Sequence, residues 1–83
     1  MQIAKNLKYL RKRENLSYRS LALESQVKPM TIQRIENGTL DNPRIKEVTK
    51  LAQFFGVTID EFIKMDLEKE NVPVTGTNHE RNK

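Results

Sequence analysis

Gln33 and Arg34 are neighbouring side chains whose flat, hydrogen-bonding ends match the edges of nucleic-acid bases. A guanidinium group donates two parallel hydrogen bonds to guanine, and a carboxamide pairs in the same way with adenine. If Ile32 and Ile35 point into a core, helical periodicity puts Gln33 and Arg34 on the outer side. Apolar residues one turn earlier can contact a thymine methyl group. The predicted base-reading side chains are Lys28, Pro29, Met30, Gln33 and Arg34.

Helix starts add a second kind of chemistry, because their unpaired backbone N–H groups bind anions such as phosphate. Ser17 is a favourable N-cap for one helix, and Arg44 stands close to the predicted start of another. Such contacts hold a nucleic acid in position without reading its sequence. The phosphate contacts predicted in this way are Ser17, Tyr18, Arg19 and Arg44.

Helices must position these residues, and apolar residues at helical spacing predict the first three of them. The first covers residues 2–14, with apolar side chains on one side and lysines on the other. The second runs from the Ser17 N-cap to about residue 24. The third begins at Pro29, whose fixed φ angle suits a first helical position, and stops before Gly38. Because the second and third helices are joined by only a few residues, they must lie close together.

Two more helices follow in the sequence. The fourth is predicted to have Asn42 as its N-cap and Pro43 in its first turn, and to end at Gly56. The fifth starts at Thr58, which matches a capping box with Glu61, and ends near residue 65. No alternating apolar pattern exceeds a few positions, so the predicted fold class is all-α.

One folded domain is what a chain of 83 residues is expected to form. Residues 1–65 carry 12 basic and 7 acidic side chains, whereas residues 66–83 carry 3 and 4. The first stretch is the predicted domain, and its positive surplus favours a polyanionic partner through phosphate contacts. The second stretch lacks a sustained apolar period and is predicted to be a flexible, disordered tail.

Chemistry other than binding finds little support in the residue types. The chain has no cysteine, and its single histidine, His79, lies in the predicted tail without partners for a metal site or for proton transfer. Ser17 has no base at a recognisable spacing, and no glycine-rich phosphate loop is present. We therefore predict no enzymatic activity, no metal and no cofactor. The lack of a long apolar run predicts neither export nor membrane insertion, and hence a cytoplasmic protein.

Several short segments follow one another at the spacing of a known family. They are residues 7–12, Leu16-Ser17, Leu21-Ala22, Val27, residues 31–38, Asn42-Pro43 and Phe55-Gly56-Val57. In this order they resemble the Cro/CI-type repressors, also called the XRE family, over about residues 3–63. The resemblance implies a compact, five-helix, lambda-repressor-like DNA-binding domain whose second and third helices form a helix-turn-helix.

The resemblance also implies roles for individual residues. Arg11 on the first helix would pair with Glu36 at the end of the third, which makes both residues structural. The loop after the third helix would lie near the DNA backbone, so that Asn37 and Thr39 join the predicted phosphate contacts.

Two positions depart from the family pattern. Gln26 stands where the turn between the second and third helices usually has glycine, and a left-handed backbone there would carry strain of roughly 1–2 kcal/mol. Ser20 replaces the acidic residue that usually completes the capping box begun by Ser17, which leaves the second helix held mainly by packing.

The predicted function is sequence-specific binding of double-stranded DNA in the control of transcription, as a prokaryotic or phage-encoded repressor. A homodimer would read an inverted-repeat operator, with its dimer surface around residues 62–67. One alternative is a protein-interaction module, such as an antitoxin or anti-repressor, which would tolerate the loss of Gln33 and Arg34. Another is binding by charge alone, which predicts uniform affinity across sequences and a steep salt dependence.

Overall fold

The computed structural model describes residues 2–40 and 42–70, and all regular secondary structure in these residues is helical. This confirms the all-α fold class predicted from the sequence. The helices are α1 (Ile3–Arg13), α2 (Tyr18–Ser25), α3 (Pro29–Glu36), α4 (Ile45–Phe55), α5 (Ile59–Lys64) and α6 (Leu67–Glu70). His79 and most of the predicted tail lie outside the described residues.

The helices surround one hydrophobic core, to which every helix contributes a buried side chain. Leu7 and Leu10 of α1, one turn apart, are buried, whereas the lysines on the opposite side of this helix are exposed. The amphipathic pattern is therefore what folds α1 onto its neighbours. The buried apolar residues are Ile3, Leu7, Leu10, Leu21, Val27, Ile32, Ile35, Val48, Leu51, Ala52, Phe55, Val57, Phe62 and Leu67.

The turn between α2 and α3 is held by local hydrogen bonds. Gln26 adopts the left-handed conformation at φ 66° and ψ 32°, and its N–H donates to the Ala22 carbonyl at 2.8 Å. The buried Ser25 hydroxyl donates to the Leu21 carbonyl at 2.7 Å and accepts from the Val27 N–H at 3.3 Å. Gln26 thus takes the backbone conformation that glycine would adopt without strain.

The start of α4 differs from the prediction. Arg44, not Asn42, is the N-cap, with an extended backbone at φ −72° and ψ 141°, so the helix begins at Ile45. The Arg44 carbonyl accepts hydrogen bonds from Glu47 and Val48, each at 3.0 Å. Pro43 therefore precedes the helix. Ile45, the first residue of α4, is exposed, and the buried side of the helix begins at Val48.

The C-terminal end of the described chain contains one helix more than the five predicted. Thr58 and Glu61 form the predicted capping box of α5, with hydrogen bonds of 2.8 and 3.0 Å. Beyond it, Leu67 is fully buried and its N–H donates to the Asn6 side chain at 3.0 Å. Packing therefore continues past residue 65, where the sequence predicts the domain to end.

Candidate nucleic-acid interface

The outer side of α3 presents the side chains predicted to read bases. Ile32 and Ile35 are buried beneath the helix, whereas Gln33 and Arg34 are exposed and Met30 is 61% exposed. Lys28 is the N-cap and Pro29 the first residue of the helix. The structure thus brings Lys28, Pro29, Met30, Gln33 and Arg34 together on one exposed face.

A groove between α3 and α4 joins this face to the start of α4. Three cationic side chains line it: Lys28 from the N-cap of α3, Arg34 from α3 itself and Arg44 from the N-cap of α4. The groove has a volume of about 370 Å³. Its other lining residues are Thr31, Leu40, Asn42 and Glu47.

Thr31 and Asn42 are functional candidates that the sequence reasoning missed. Both have side chains that can hydrogen-bond with phosphate or base edges, and both line a groove rich in cations. Thr31 follows Met30 directly, but periodicity within α3 does not show that this half-buried residue lines a groove together with a residue of α4. Asn42 is the predicted N-cap of α4. Its place in the groove becomes apparent only once the helix is known to start later than Pro43 suggests.

The start of α2 lies beside the start of α3. Arg19 is exposed and lines a second groove, of about 300 Å³, together with Lys28 and Pro29. Ser17 caps α2 by accepting a hydrogen bond from the Ser20 N–H at 3.0 Å, and its hydroxyl donates to the Ser20 hydroxyl at 3.1 Å. Two of the predicted phosphate contacts, Ser17 and Arg19, are therefore exposed at one helix start.

The Tyr18 side chain does not fit its predicted role as a phosphate contact. Its hydroxyl donates to Glu36 Oε1 at 3.2 Å, and the Arg11 guanidinium lies 4.3 Å from the centre of its ring. A phenol has a single O–H donor, and this one is used within the protein. A phosphate contact from this hydroxyl would have to break the bond to Glu36.

Arg11 and Glu36 form a bidentate pair that fixes the end of α3. Nε and Nη2 of Arg11 donate to the two carboxylate oxygens of Glu36 at 2.5 and 3.1 Å, and Nη1 donates to the Leu16 carbonyl at 2.8 Å. The side chains are only 12% and 2% exposed, respectively. The hydrogen bond to Glu36 raises the pKa of the guanidinium, which therefore stays charged. The pair holds α1, α2 and α3 in one orientation.

Asn37 and Thr39, predicted from the resemblance, lie at the end of α3. Asn37 Oδ1 accepts hydrogen bonds from the Thr39 N–H at 3.1 Å and from the Thr39 hydroxyl at 2.8 Å. The Thr39 N–H also donates to the Arg34 carbonyl at 3.0 Å. Thr39 thus uses its donors within the loop, whereas Asn37 is an exposed residue whose side-chain oxygen is the acceptor of these bonds.

Two residues of the predicted dimer surface are not available for contact with a second copy. Phe62 and Leu67, at the two ends of the 62–67 segment, are fully buried in the core of a single chain. They are directed inward because they fill the space between α1 and the last two helices. Ile63 and Met65 lie between them and are partly exposed.

Other kinds of site find no counterpart among residues 2–40 and 42–70. These residues contain no group of three or more His, Asp or Glu side chains that could hold a metal ion. None of their helices is long and apolar enough to cross a membrane.

Fold and site together define an all-helical module whose third helix exposes a polar, cationic face, with further cations at two neighbouring helix starts. Comparison with known proteins agrees with this class. The model of the helix-turn-helix family matches residues 7–62. An uncharacterized HTH-type transcriptional regulator of Methanocaldococcus jannaschii is 44% identical over 63 residues, which cover 75% of this chain and 94% of the relative. No solved structure matches the chain.

The chain belongs to the helix-turn-helix family, in its XRE-type branch. Members of this family bind DNA, regulate transcription and are not enzymes. The match confirms the resemblance inferred from the short segments, and the matched residues include both α2 and α3.

Proposed function

We propose that this protein represses transcription by binding a specific operator through the outer face of α3. The observation that carries the proposal is the exposure of Met30, Gln33 and Arg34 above the buried Ile32 and Ile35. An α-helix fits the major groove of B-DNA, and these side chains can distinguish the four base pairs there. The proposed base contacts are Lys28, Pro29, Met30, Gln33 and Arg34.

Phosphate contacts on both sides of α3 hold it in the groove. Arg19 and Arg44 supply exposed cations at the starts of α2 and α4. Backbone N–H groups in the first turn of α2, including that of Tyr18, add donors that need no side chain. Asn37 contributes its amide nitrogen at the other end of α3. Thr39 remains within the loop, where it orients Asn37.

A single reading helix covers only a few base pairs, so we propose that two copies bind an inverted repeat. The half-sites would then lie about one helical turn apart, and each α3 would read one of them. The partly exposed Ile63 and Met65 supply the contact between copies in place of the buried Phe62 and Leu67. Repression requires only that the bound dimer block the promoter, in the cytoplasm of its host.

Selection of bound sequences from a random DNA pool at one fixed salt concentration tests the proposal. The wild-type protein should enrich a palindrome. The variants Gln33→Ala and Arg34→Ala should each relax the preference at particular positions of the half-site, because each loses a bidentate base contact worth about 1–3 kcal/mol. Gln53→Ala, an exposed change on α4, is a matched control that should select the same palindrome as the wild type.

The same experiment separates the two alternative functions. A protein-interaction module would enrich no sequence, and its activity would survive both changes on α3. Binding by charge alone would give equal affinity for every sequence and a steep loss of affinity with salt. Either result would contradict sequence-specific repression.

A further inference from the structure

A third groove lies between α1 and α6, and none of its residues belongs to the proposed DNA interface. Its volume is about 590 Å³. The lining residues are Lys5, Lys8, Tyr9, Lys12, Arg13 and Glu68. We propose that this basic groove binds an acidic, amphipathic segment of a partner protein while α3 is on DNA.

The position of the basic groove allows both ligands to bind at once. α1 packs against α3, and each helix turns its buried side toward the shared core. Leu7 and Leu10 mark that side of α1, and Ile32 marks it on α3. The lysines of α1 and the base-reading face of α3 therefore both point away from the shared core, on separate helix faces.

Two cations of the basic groove have no ion-pair partner among the described residues. Lys5 is paired with Asp66 at 2.7 Å, but neither Lys8 nor Lys12 forms an ion pair with any residue in the 2–40 and 42–70 ranges. Both side chains are exposed, four residues apart on one helix. The Cβ atoms of residues at this spacing lie about 5–6 Å apart, and so do those of two acidic residues one turn apart on a partner helix.

The floor of the basic groove is apolar and gives a place for a hydrophobic side chain. The Tyr9 ring lies beneath the Arg13 guanidinium, whose carbon is 5.1 Å from the ring centre, and Arg13 Nη1 donates to the Tyr9 hydroxyl at 3.2 Å. The alkyl stems of the lysines extend this surface, since such stems pack on apolar groups while their ends stay in water.

Glu68 favours a peptide over a nucleic acid as the occupant. Its carboxylate stands on the α6 wall of the basic groove, where it would face the phosphates of a duplex laid across the lysines. A duplex carries negative charge along its whole length, whereas the charges of a peptide can be placed to suit the groove. A peptide can place carboxylates against Lys8 and Lys12 and a neutral side chain beside Glu68.

The test uses the full chain, labelled with ¹⁵N, and a synthetic helical peptide of glutamate, leucine and alanine with glutamates one turn apart. A twin peptide with glutamine at every glutamate is the matched ligand control. The acidic peptide should shift the backbone amide signals of Lys8, Tyr9 and Lys12 saturably, and the glutamine twin should not. The double variant Lys8→Glu/Lys12→Glu should bind the acidic peptide about tenfold more weakly. Lys46→Glu/Lys64→Glu makes the same charge change elsewhere on the exposed surface and should bind it as the wild type does.

Four results would overturn the proposal. Signals that move on α3 instead of α1 would place the peptide on the DNA-binding face. Equal weakening by the two double variants would mean attraction by net charge without a site. A duplex of DNA that displaces the peptide from α1 would assign the basic groove to nucleic acid. The absence of saturable binding of the acidic peptide would also contradict the proposal.

Discussion

α1 contacts two parts of the molecule, each through a largely buried polar side chain, and the two side chains differ in kind. Near the C-terminal end of the helix, Arg11 binds a carboxylate on α3 and fixes the helix-turn-helix. Near the N-terminal end, Asn6 donates to two carbonyls and accepts from one N–H where α5 ends and α6 begins. The Arg11–Glu36 contact removes two charges from water, whereas the Asn6 contacts bury no charge.

The difference shows why each residue type suits its place. A charged pair with two parallel hydrogen bonds strongly fixes direction, which suits a helix that must enter a groove at a defined angle. Its cost is desolvation, so removing one partner leaves a buried charge. A carboxamide satisfies donors and acceptors at once and suits two helix ends that meet. Removing Asn6 leaves only neutral groups unpaired.

Breaking the Arg11–Glu36 pair should have the largest effect on stability. Arg11→Met leaves the almost fully buried Glu36 carboxylate without its counter-charge, which we expect to lower the free energy of unfolding by about 3–5 kcal/mol. Urea denaturation followed by circular dichroism measures the change.

The double variant Arg11→Met/Glu36→Met provides the control for this prediction. Because it removes both charges, it should be more stable than Arg11→Met alone. If the double variant is no more stable than the single one, the loss comes from packing of the Arg11 side chain and not from a stranded charge.

Removing the neutral contact should have a smaller and more local effect. Asn6→Leu keeps the volume but leaves the Phe62 and Met65 carbonyls and the Leu67 N–H without their partner, which we expect to cost about 2–3 kcal/mol. Water can reach these groups once α6 detaches. Hydrogen exchange should therefore speed up at Leu67 well before it does in α3. Equal acceleration in both helices would contradict the contrast between the two contacts, and Lys8→Leu, at an exposed position of α1, should change neither.

A third change stabilises the helix-turn-helix without touching its charges. Gln26 has φ 66°, and Gln26→Gly should remove strain of roughly 1–2 kcal/mol at the expense of about 0.5–1 kcal/mol of added freedom in the unfolded chain. A net gain of about 0.5–1 kcal/mol is expected in urea denaturation. Asn15→Gly is the matched control at φ 61°, and it should gain less because asparagine tolerates this conformation. A loss of stability in Gln26→Gly would show that the Gln26 side chain contributes more than its backbone costs.

Much of the fold follows from local periodicity, whereas contacts between distant residues do not. Ile32 and Ile35 alone predict which side of α3 is exposed, because burial of one face determines the other. α6 could not be predicted in this way, since it is a four-residue helix with one buried residue, Leu67. Its position depends on Asn6, a residue 61 positions earlier whose polarity argues for the surface when read from the sequence.

Prediction of the candidate site from the sequence has the same limit. The cations at the helix starts are recognisable from residue type, because charge and exposure usually go together. Whether a donor is available depends on its neighbours in space, which residue type does not reveal. The Tyr18 hydroxyl donates a hydrogen bond to Glu36, 18 positions away, and the Thr39 hydroxyl donates one to Asn37. Both hydroxyl groups are therefore already bonded within the protein.

The smallest expected effect concerns an exposed ion pair beside the Asn6 contact. Lys5 Nζ lies 2.7 Å from Asp66 Oδ2, while Asp66 Oδ1 accepts the Lys69 N–H at 3.1 Å at the start of α6. The hydrogen bond from Lys5, followed by that from Lys69, lowers the pKa of Asp66 below its usual 3.8. The bond to Asp66 raises the pKa of Lys5 above 10.5.

Each of these pKa shifts sets one limit of the pH range in which the Lys5–Asp66 pair stabilises the fold. A lowered carboxyl pKa stabilises the fold above pH 3.8, and this contribution is lost as the pH falls through the lower folded value. A raised lysine pKa stabilises the fold below pH 10.5, and this contribution is lost as the pH rises through the higher folded value. The pair should therefore support α6 across neutral pH, where Lys5→Met should speed hydrogen exchange at Lys69 slightly, and less so in high salt. Because Asn6 still holds Leu67 in this variant, α3 should not respond. An effect on α3 as large as that on α6 would mean that the two ends of α1 are coupled and that the contrast between Arg11 and Asn6 does not hold.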